Sequence, residues 1–330
     1  MSQHRLVARA LLVLFVALAT ACQAPHLSLQ DPARTEFRAP ATELAPYSGW
    51  DRVTEGDIGE DRYPMPLSTG SGLIFASNRH SENFKLYLRE AEGRRVRRLT
   101  HGGGHDAFPA ISPDGSRIAF ASTRDGVWQL YVQSGYEDRD PIRLGEPGVE
   151  ARHPAWSPDG RQLAYCRLSP VSKEWEIWIL DLETQSPIRV TDGLFPAFSP
   201  DGKSIAFQRH RRRDGRWFSI WTIATDGTRE HEIVAGDEWG AVNPCWSPDG
   251  SRIAFNSVGR SSDTEPHTSL NPGTDLYVVH ADGTRLQRIT FREGPEWNPT
   301  WGLDGKLYFN ATIDGETALW SVTAPRSPRS

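Results

Sequence analysis

One four-residue phrase constrains this chain more than any other feature. Ser-Pro-Asp-Gly begins at Ser112, Ser157, Ser199 and Ser247, and a relative, Gly-Leu-Asp-Gly, begins at Gly302. Each copy follows a Pro that opens a short β-rich segment: Pro64, Pro109, Pro154, Pro196, Pro244 and Pro299, spaced by 45, 45, 42, 48 and 55 residues. A fixed period of this size is the signature of a repeat architecture. Downstream of the turn comes a β-rich run, such as "IAFAS" at Ile118, "LAYCR" at Leu163, "IAFQR" at Ile205 and "IAFNS" at Ile253. A third run alternates about an aromatic (Tyr87, Tyr131, Trp178, Trp221, Tyr277, Trp320), and a fourth ends in Arg-hydrophobic-Thr or a relative. Alternation over about five residues with β-branched and aromatic enrichment marks half-buried strands.

The recurring Asp has two readings, a set of carboxylates with a shared chemistry or one turn built repeatedly. Pro presets φ for the second position of a type I turn, Asp suits the third, and Gly supplies the left-handed residue that closes the hairpin. Copies spread around a ring cannot bring their carboxylates to one point, so the turn reading is adopted. Four strands per copy, a period near 45 and six copies predict an all-β, six-bladed β-propeller. The sixth copy has only three strands before the chain stops, while "SGWDRVTEG" at Ser48–Gly56 matches the fourth-strand pattern. The N-terminal strand is therefore expected to complete the last blade and close the ring, which removes an unpaired edge. The propeller is assigned to residues 47–323, followed by a tail at 324–330.

The motif P-x-W-S-P-D-G-x-x-I-A-F, seen from Pro154 and Pro244, resembles the TolB-type, WD40-like propeller repeat. Similar repeats occur in the non-catalytic propellers of prolyl-oligopeptidase-like enzymes. The resemblance covers Ser48 to Thr323 and implies a propeller fold with an envelope-facing binding role. Two departures stand out: TolB carries an α/β domain before its propeller, whereas only a short spacer precedes Ser48 here, and TolB is a soluble periplasmic protein.

The start of the chain reads as an export signal. Arg5 and Arg9 precede the apolar run "LLVLFVALATA", which is too short for a comfortable membrane span. Residues 1–21 are assigned to this signal peptide. "LATAC" resembles the bacterial lipobox, making Cys22 the lipidated first residue of the mature chain and residues 22–46 a lipid-anchored tether; Ala19 stands where that pattern prefers Leu. The same residues fit ordinary signal peptidase, which would leave a soluble protein. Gln23 after Cys22 implies, by resemblance to lipoprotein sorting, the outer membrane.

Loops of such a propeller sort onto two faces. The Ser-Pro-Asp-Gly turns and the third-to-fourth hairpins are short and share one. The blade-to-blade and second-to-third loops vary in length and share the other, where function is expected. Tyr63, Phe108, His153, Phe195, Asn243 and Asn298, each just before the opening Pro, fall near the channel mouth on that side. The candidate partner-binding residues are His101, His105, His153, Arg211, Arg212, Arg213, Trp239 and Trp297. Histidines on adjacent blade connections (His101, His105, His153, with His80) form a conceivable metal set, as in the distantly similar oligogalacturonate lyase propellers; the plainer reading is solvated loop histidines. Arg211–Arg213 offer charge for phosphate groups or carboxylates. Trp239 and Trp297 either anchor a partner or pack between blades.

Several classes are excluded or unsupported. A net charge of −5 gives no global pull toward nucleic acid. No Gly-x-Ser-x-Gly elbow occurs, and His231-Glu232 lacks the second His of a zinc protease. Cys166 and Cys245 occupy strand positions filled by Ala121 and Ala155 in other copies, as small buried residues do. The expectation is a monomeric, non-enzymatic scaffold without cofactor, binding envelope proteins from the periplasmic side, with a carbohydrate- or metal-binding mouth as the alternative.

Overall fold

In the computed structural model the described residues are 49–55, 58–70, 72–90, 95–137, 140–210, 217–236, 239–259, 274–291 and 295–325. The signal peptide, Cys22, the tether and Arg211–Arg213 lie outside them. Among the described residues every element is a strand. After β1 (Trp50–Arg52), blade 1 holds β2 (Asp61–Pro66), β3 (Gly72–Ser77), β4 (Lys85–Glu90) and β5 (Val96–Arg98). Blade 2 holds β6 (Asp106–Ile111), β7 (Arg117–Ser122), β8 (Gln129–Ser134) and β9 (Ile142–Leu144). Blade 3 holds β10 (Ala151–Trp156), β11 (Gln162–Leu168), β12 (Trp175–Asp181) and β13 (Pro187–Asp192). Blade 4 holds β14 (Leu194–Phe198), β15 (Ser204–His210), β16 (Phe218–Ala224) and β17 (His231–Val234). Blade 5 holds β18 (Trp239–Trp246), β19 (Arg252–Gly259), β20 (Leu276–His280) and β21 (Gln287–Arg288). Blade 6 holds β22 (Glu296–Trp301), β23 (Lys306–Ile313) and β24 (Glu316–Thr323), and its fourth strand is β1, in the order β1-β24-β23-β22. Innermost strands touch their neighbours all the way round, from β2 through β6, β10, β14, β18 and β22 back to β2. This is the six-bladed, N-terminally closed propeller that the repeat predicts.

The closing strand is held by more than its ladder. Trp50 sits edge-on to Phe309 at 4.9 Å, Arg52 pairs with Glu316 at 2.9 Å, and Lys306 pairs with Asp51 at 2.7 Å. Within blades the second-strand aromatics form the core. Phe75, Phe120, Phe207, Phe255 and Phe309 are fully buried, and each lies in register with the third-strand aromatic named above.

The turns answer the question about the recurring Asp. Ser112 Oγ donates to Asp114 Oδ1 at 2.6 Å, Ser116 N–H donates to the same oxygen at 3.0 Å, and Gly115, at φ 72°, closes back to the Ser112 carbonyl. The same Ser–Asp bond recurs at Ser157–Asp159, Ser199–Asp201 and Ser247–Asp249, each at 2.6 Å. Hydrogen bonds from the turn's own Ser hold each carboxyl below the usual range. Every carboxylate is spent inside its own turn.

One detail departs from the sequence reading. The innermost strand does not open at the Pro; it begins two to five residues earlier and crosses a β-bulge. Between Arg62↔Ala76 and Met65↔Ile74, the two residues Tyr63 and Pro64 oppose the single Phe75. The other five blades show the same shift. A bulge tolerates Pro, which has no N–H to give to the ladder.

Candidate functional site

The bulge positions a ring. Its first residue in each blade has a left-handed backbone without being Gly: Tyr63 at φ 56°, Phe108 at 55°, His153 at 54°, Phe195 at 53°, Asn243 at 55° and Asn298 at 56°. Such a conformation costs about 1–3 kcal/mol per residue and persists only where the surroundings impose it. Four of the six form a continuous aromatic arc, with centroids 4.4 Å apart for Tyr63–Phe108, 4.2 Å for Phe108–His153 and 3.7 Å for His153–Phe195. The remaining two are amides, and Asn243 Nδ2 donates to Asn298 Oδ1 at 3.2 Å.

A second layer repeats this division. The residue after each second-strand aromatic is Ala76, Ala121 and Cys166 in blades 1–3, but Gln208, Asn256 and Asn310 in blades 4–6. These side chains tie the layers together. Cys166 Sγ accepts the Phe195 N–H at 3.1 Å, and Gln208 Oε1 accepts the Asn243 N–H at 2.8 Å. Asn243 Nδ2 also donates to Asn256 Oδ1, and Asn298 Nδ2 donates to Asn310 Oδ1, both at 2.9 Å. Burial and the Arg152 charge hold the His153 imidazole well below its usual pKa, and its Nδ1 is sealed without a partner. Burial pushes the Cys166 thiol up to about 12, so it is an inert neutral acceptor; it and Cys245 are free thiols.

Outside the ring, on the variable face of blades 1–3, runs a second arc. Arg62 lies over Phe84 at 5.4 Å, Phe84 meets His105 at 6.2 Å, and His105 meets Trp128 at 6.3 Å. Arg152 is then sandwiched between Trp128 at 5.3 Å and Trp175 at 5.5 Å. Phe108 joins the arcs, 5.6 Å from Trp128. Both arginines are paired, Arg62 to Glu60 at 2.5 Å and Arg152 to Glu150. Bare aliphatic side chains stand on the same loops: Ile58, Val127 and Val171, the last 91% exposed.

The expected site residues divide accordingly. His153 belongs to the ring and His105 to the outer arc, whereas His101 is exposed on its Gly-rich loop. His105 Nδ1 already accepts the Phe84 N–H at 3.2 Å, and Phe108 and Trp128 separate it from His153. Among the described residues no three His, Cys, Asp or Glu side chains are grouped to hold a metal, so the conceivable ligand set is not brought together. Trp239 stacks flat on Phe255 and Tyr277 at 6.2 and 5.5 Å, the packing role. The Trp297 side chain, half-buried, makes no ring contact or hydrogen bond among the described residues. The sequence reading missed the second-layer amides and the outer arc's Phe84, Trp128, Arg152 and Trp175. For the amides the signal was plain, a polar residue directly after Phe in "IAFQR", "IAFNS" and "LYFNA".

A buried ion cluster was also missed. Asp106, fully buried, accepts from Lys85 Nζ at 3.0 Å and from Arg124 at 3.2 Å, and Lys85 is itself 1% exposed. Asp61 and Arg79 repeat the Asp–Arg bond at 2.7 Å in blade 1, again beside a Ser (Ser77, Ser122) that accepts from the Arg Nε. Every group in the cluster finds its partner within the blade 1–2 seam, which marks a structural staple.

Comparison with known proteins agrees with this architecture. Residues 148–264 match the family described as the TolB beta propeller domain. No curated protein matches the sequence. Among solved structures, the putative TolB of Agrobacterium tumefaciens superposes with a TM-score of 0.60 at 20% identity, over 81% of this chain and 91% of that one. TolB of Acinetobacter baumannii gives 0.55 at 17% identity, over 81% and 64%. Oligogalacturonate lyase from Vibrio parahaemolyticus gives 0.56 at 17%, over 84% and 93%. At such identities the superpositions speak for the fold. With the TolB propeller repeat matched in residues 148–264 and six four-stranded blades closed in a ring, this chain is a six-bladed β-propeller similar to the TolB propellers.

Proposed function

We propose that this propeller is a non-catalytic scaffold that binds a protein partner of the bacterial cell envelope through the variable face of blades 1–3. The observation that carries the reading is the outer arc of half-buried Phe84, Trp128, Trp175 and stacked arginines, flanked by Val127 and Val171. Trp, Phe and Arg are the residues enriched where partners bury surface. The opposite face, by contrast, shows hydrogen-bonded Asp turns. Export through residues 1–21, lipidation at Cys22 and residence on the periplasmic side of the outer membrane complete the proposal, resting on the sequence features above. A monomeric propeller tethered in this way meets its partner at the membrane surface.

The test is capture from detergent-solubilised envelope by the purified protein. Trp175→Ala and Val171→Asp are expected to lose a discrete partner that the wild type retains, while Leu303→Asp on the opposite face keeps it. Equal capture by all four proteins would overturn the assignment of the face.

A further inference from the structure

We infer that the amide sector of the ring is a binding site for an uncharged N-acylated sugar. Gln208, Asn243, Asn298 and Asn310 form one connected chain of hydrogen bonds across blades 4–6. Gln208 is 3% exposed and Asn310 4%, so both are core residues by burial. Buried amides of this kind normally satisfy all their N–H groups. Here Gln208 Nε2 and Asn310 Nδ2, at the two ends of the chain, have no acceptor among the described residues, and neither atom is sealed from solvent. Asn243 Oδ1, in the middle, receives no donor from the described residues. Trp297, next to Asn298 and in register with Asn310, adds an indole N–H without an acceptor. The sector thus offers outward donors around one acceptor.

The chemistry selects the ligand. None of these side chains is charged, so an anion desolvated here would gain no opposite charge, which disfavours carboxylates and phosphates. An acetamide group is the complement: its C=O accepts from the Gln208 or Asn310 amide while its N–H donates to Asn243 Oδ1. Sugar hydroxyls accept from the Trp297 indole, and the half-exposed indole suits the apolar face of a pyranose. An extended peptide carries the same amide and is the competing ligand that the peptide-amide probe below tests. A peptide offers no flat apolar ring face to the Trp297 indole, which a pyranose does. The site lies beside the protein-binding arc and does not depend on it.

Calorimetric titration of the purified full chain with N,N′,N″-triacetylchitotriose, cellotriose, trigalacturonate and N-acetylglycinamide tests the inference without any envelope extract. Chitotriose is expected to bind with a Kd below about 10 mM, with cellotriose and the other two probes at least about tenfold weaker. Gln208→Glu keeps the acceptor for Asn243 N–H and Asn310→Asp keeps the acceptor for Asn298, and each replaces the open N–H donor by a carboxyl oxygen, whose negative charge further opposes an acetamide C=O. Each is expected to weaken chitotriose about tenfold or more in protein that still unfolds cooperatively. Absent chitotriose binding, equal cellotriose binding, equal peptide-amide binding, or affinity untouched in both folded variants would each overturn it.

Discussion

His153 sits in the left-handed region with its imidazole wedged between Phe108 and Phe195. Burial opposes its protonation in the folded state, while in the unfolded chain it titrates near 6.5. Above pH 6.5 neither state carries the proton and this group leaves stability intact. As pH falls below 6.5, the unfolded chain takes a proton that the fold refuses, and stability drops by up to about 1.4 kcal/mol per pH unit for such a group. His105 and His210 are shifted in the same direction by burial and contribute to the slope. His153→Asn places at the ring the residue type that blades 5 and 6 already use there and that accepts positive φ. Urea midpoints measured from pH 7 to pH 5 should therefore decline less steeply in the variant; parallel declines would contradict the burial argument. The ring was legible residue by residue, because each member directly precedes the opening Pro. Its backbone conformation was not, since a bulge depends on the register with the neighbouring strand.

Between elements, the blade 1–2 seam rests on the Lys85–Asp106–Arg124 cluster, with Asp106 N–H also donating to the Phe84 carbonyl at 2.8 Å. Removing one partner of a buried pair leaves the other charge unmatched, at a cost of about 3–5 kcal/mol. Asp106→Ala should be destabilised by about that amount in chemical denaturation, and Lys85→Met with Asp106→Leu should recover most of it. A neutral Asp106→Ala would mean that Lys85 escapes to water. Sequence reading found the strands here, because alternation is local, and overlooked the cluster, because Asp106 and Lys85 belong to different repeats. The parallel Asp61/Ser77/Arg79 and Asp106/Ser122/Arg124 sets share the same spacing and were the available signal.

At the scale of the whole ring, closure depends on β1, three residues long. A chain starting at Pro46 is expected to unfold cooperatively, whereas one starting at Glu55 loses the Trp50–Phe309 contact and exposes the β24 edge. The shorter chain should lose at least about 3 kcal/mol, as the deletion of a packed Trp does, and amide hydrogens of Leu319 and Ser321, which face β1, should exchange faster. Unchanged exchange would show that β24 does not need its partner. Closure was readable from the count of strands in the last repeat. The division of the ring and of its faces was readable only in part, because an arc such as Arg62–Phe84–His105–Trp128–Arg152–Trp175 joins residues from three repeats. That arc is the basis for assigning the partner to one side of the propeller. Site-specific photocrosslinking in the native cell tests this most directly, with the photoreactive residue placed at Val127, Val171 or Leu303. The account predicts a discrete crosslinked protein from Val127 and Val171 and none from Leu303; a crosslink from Leu303 alone would contradict it.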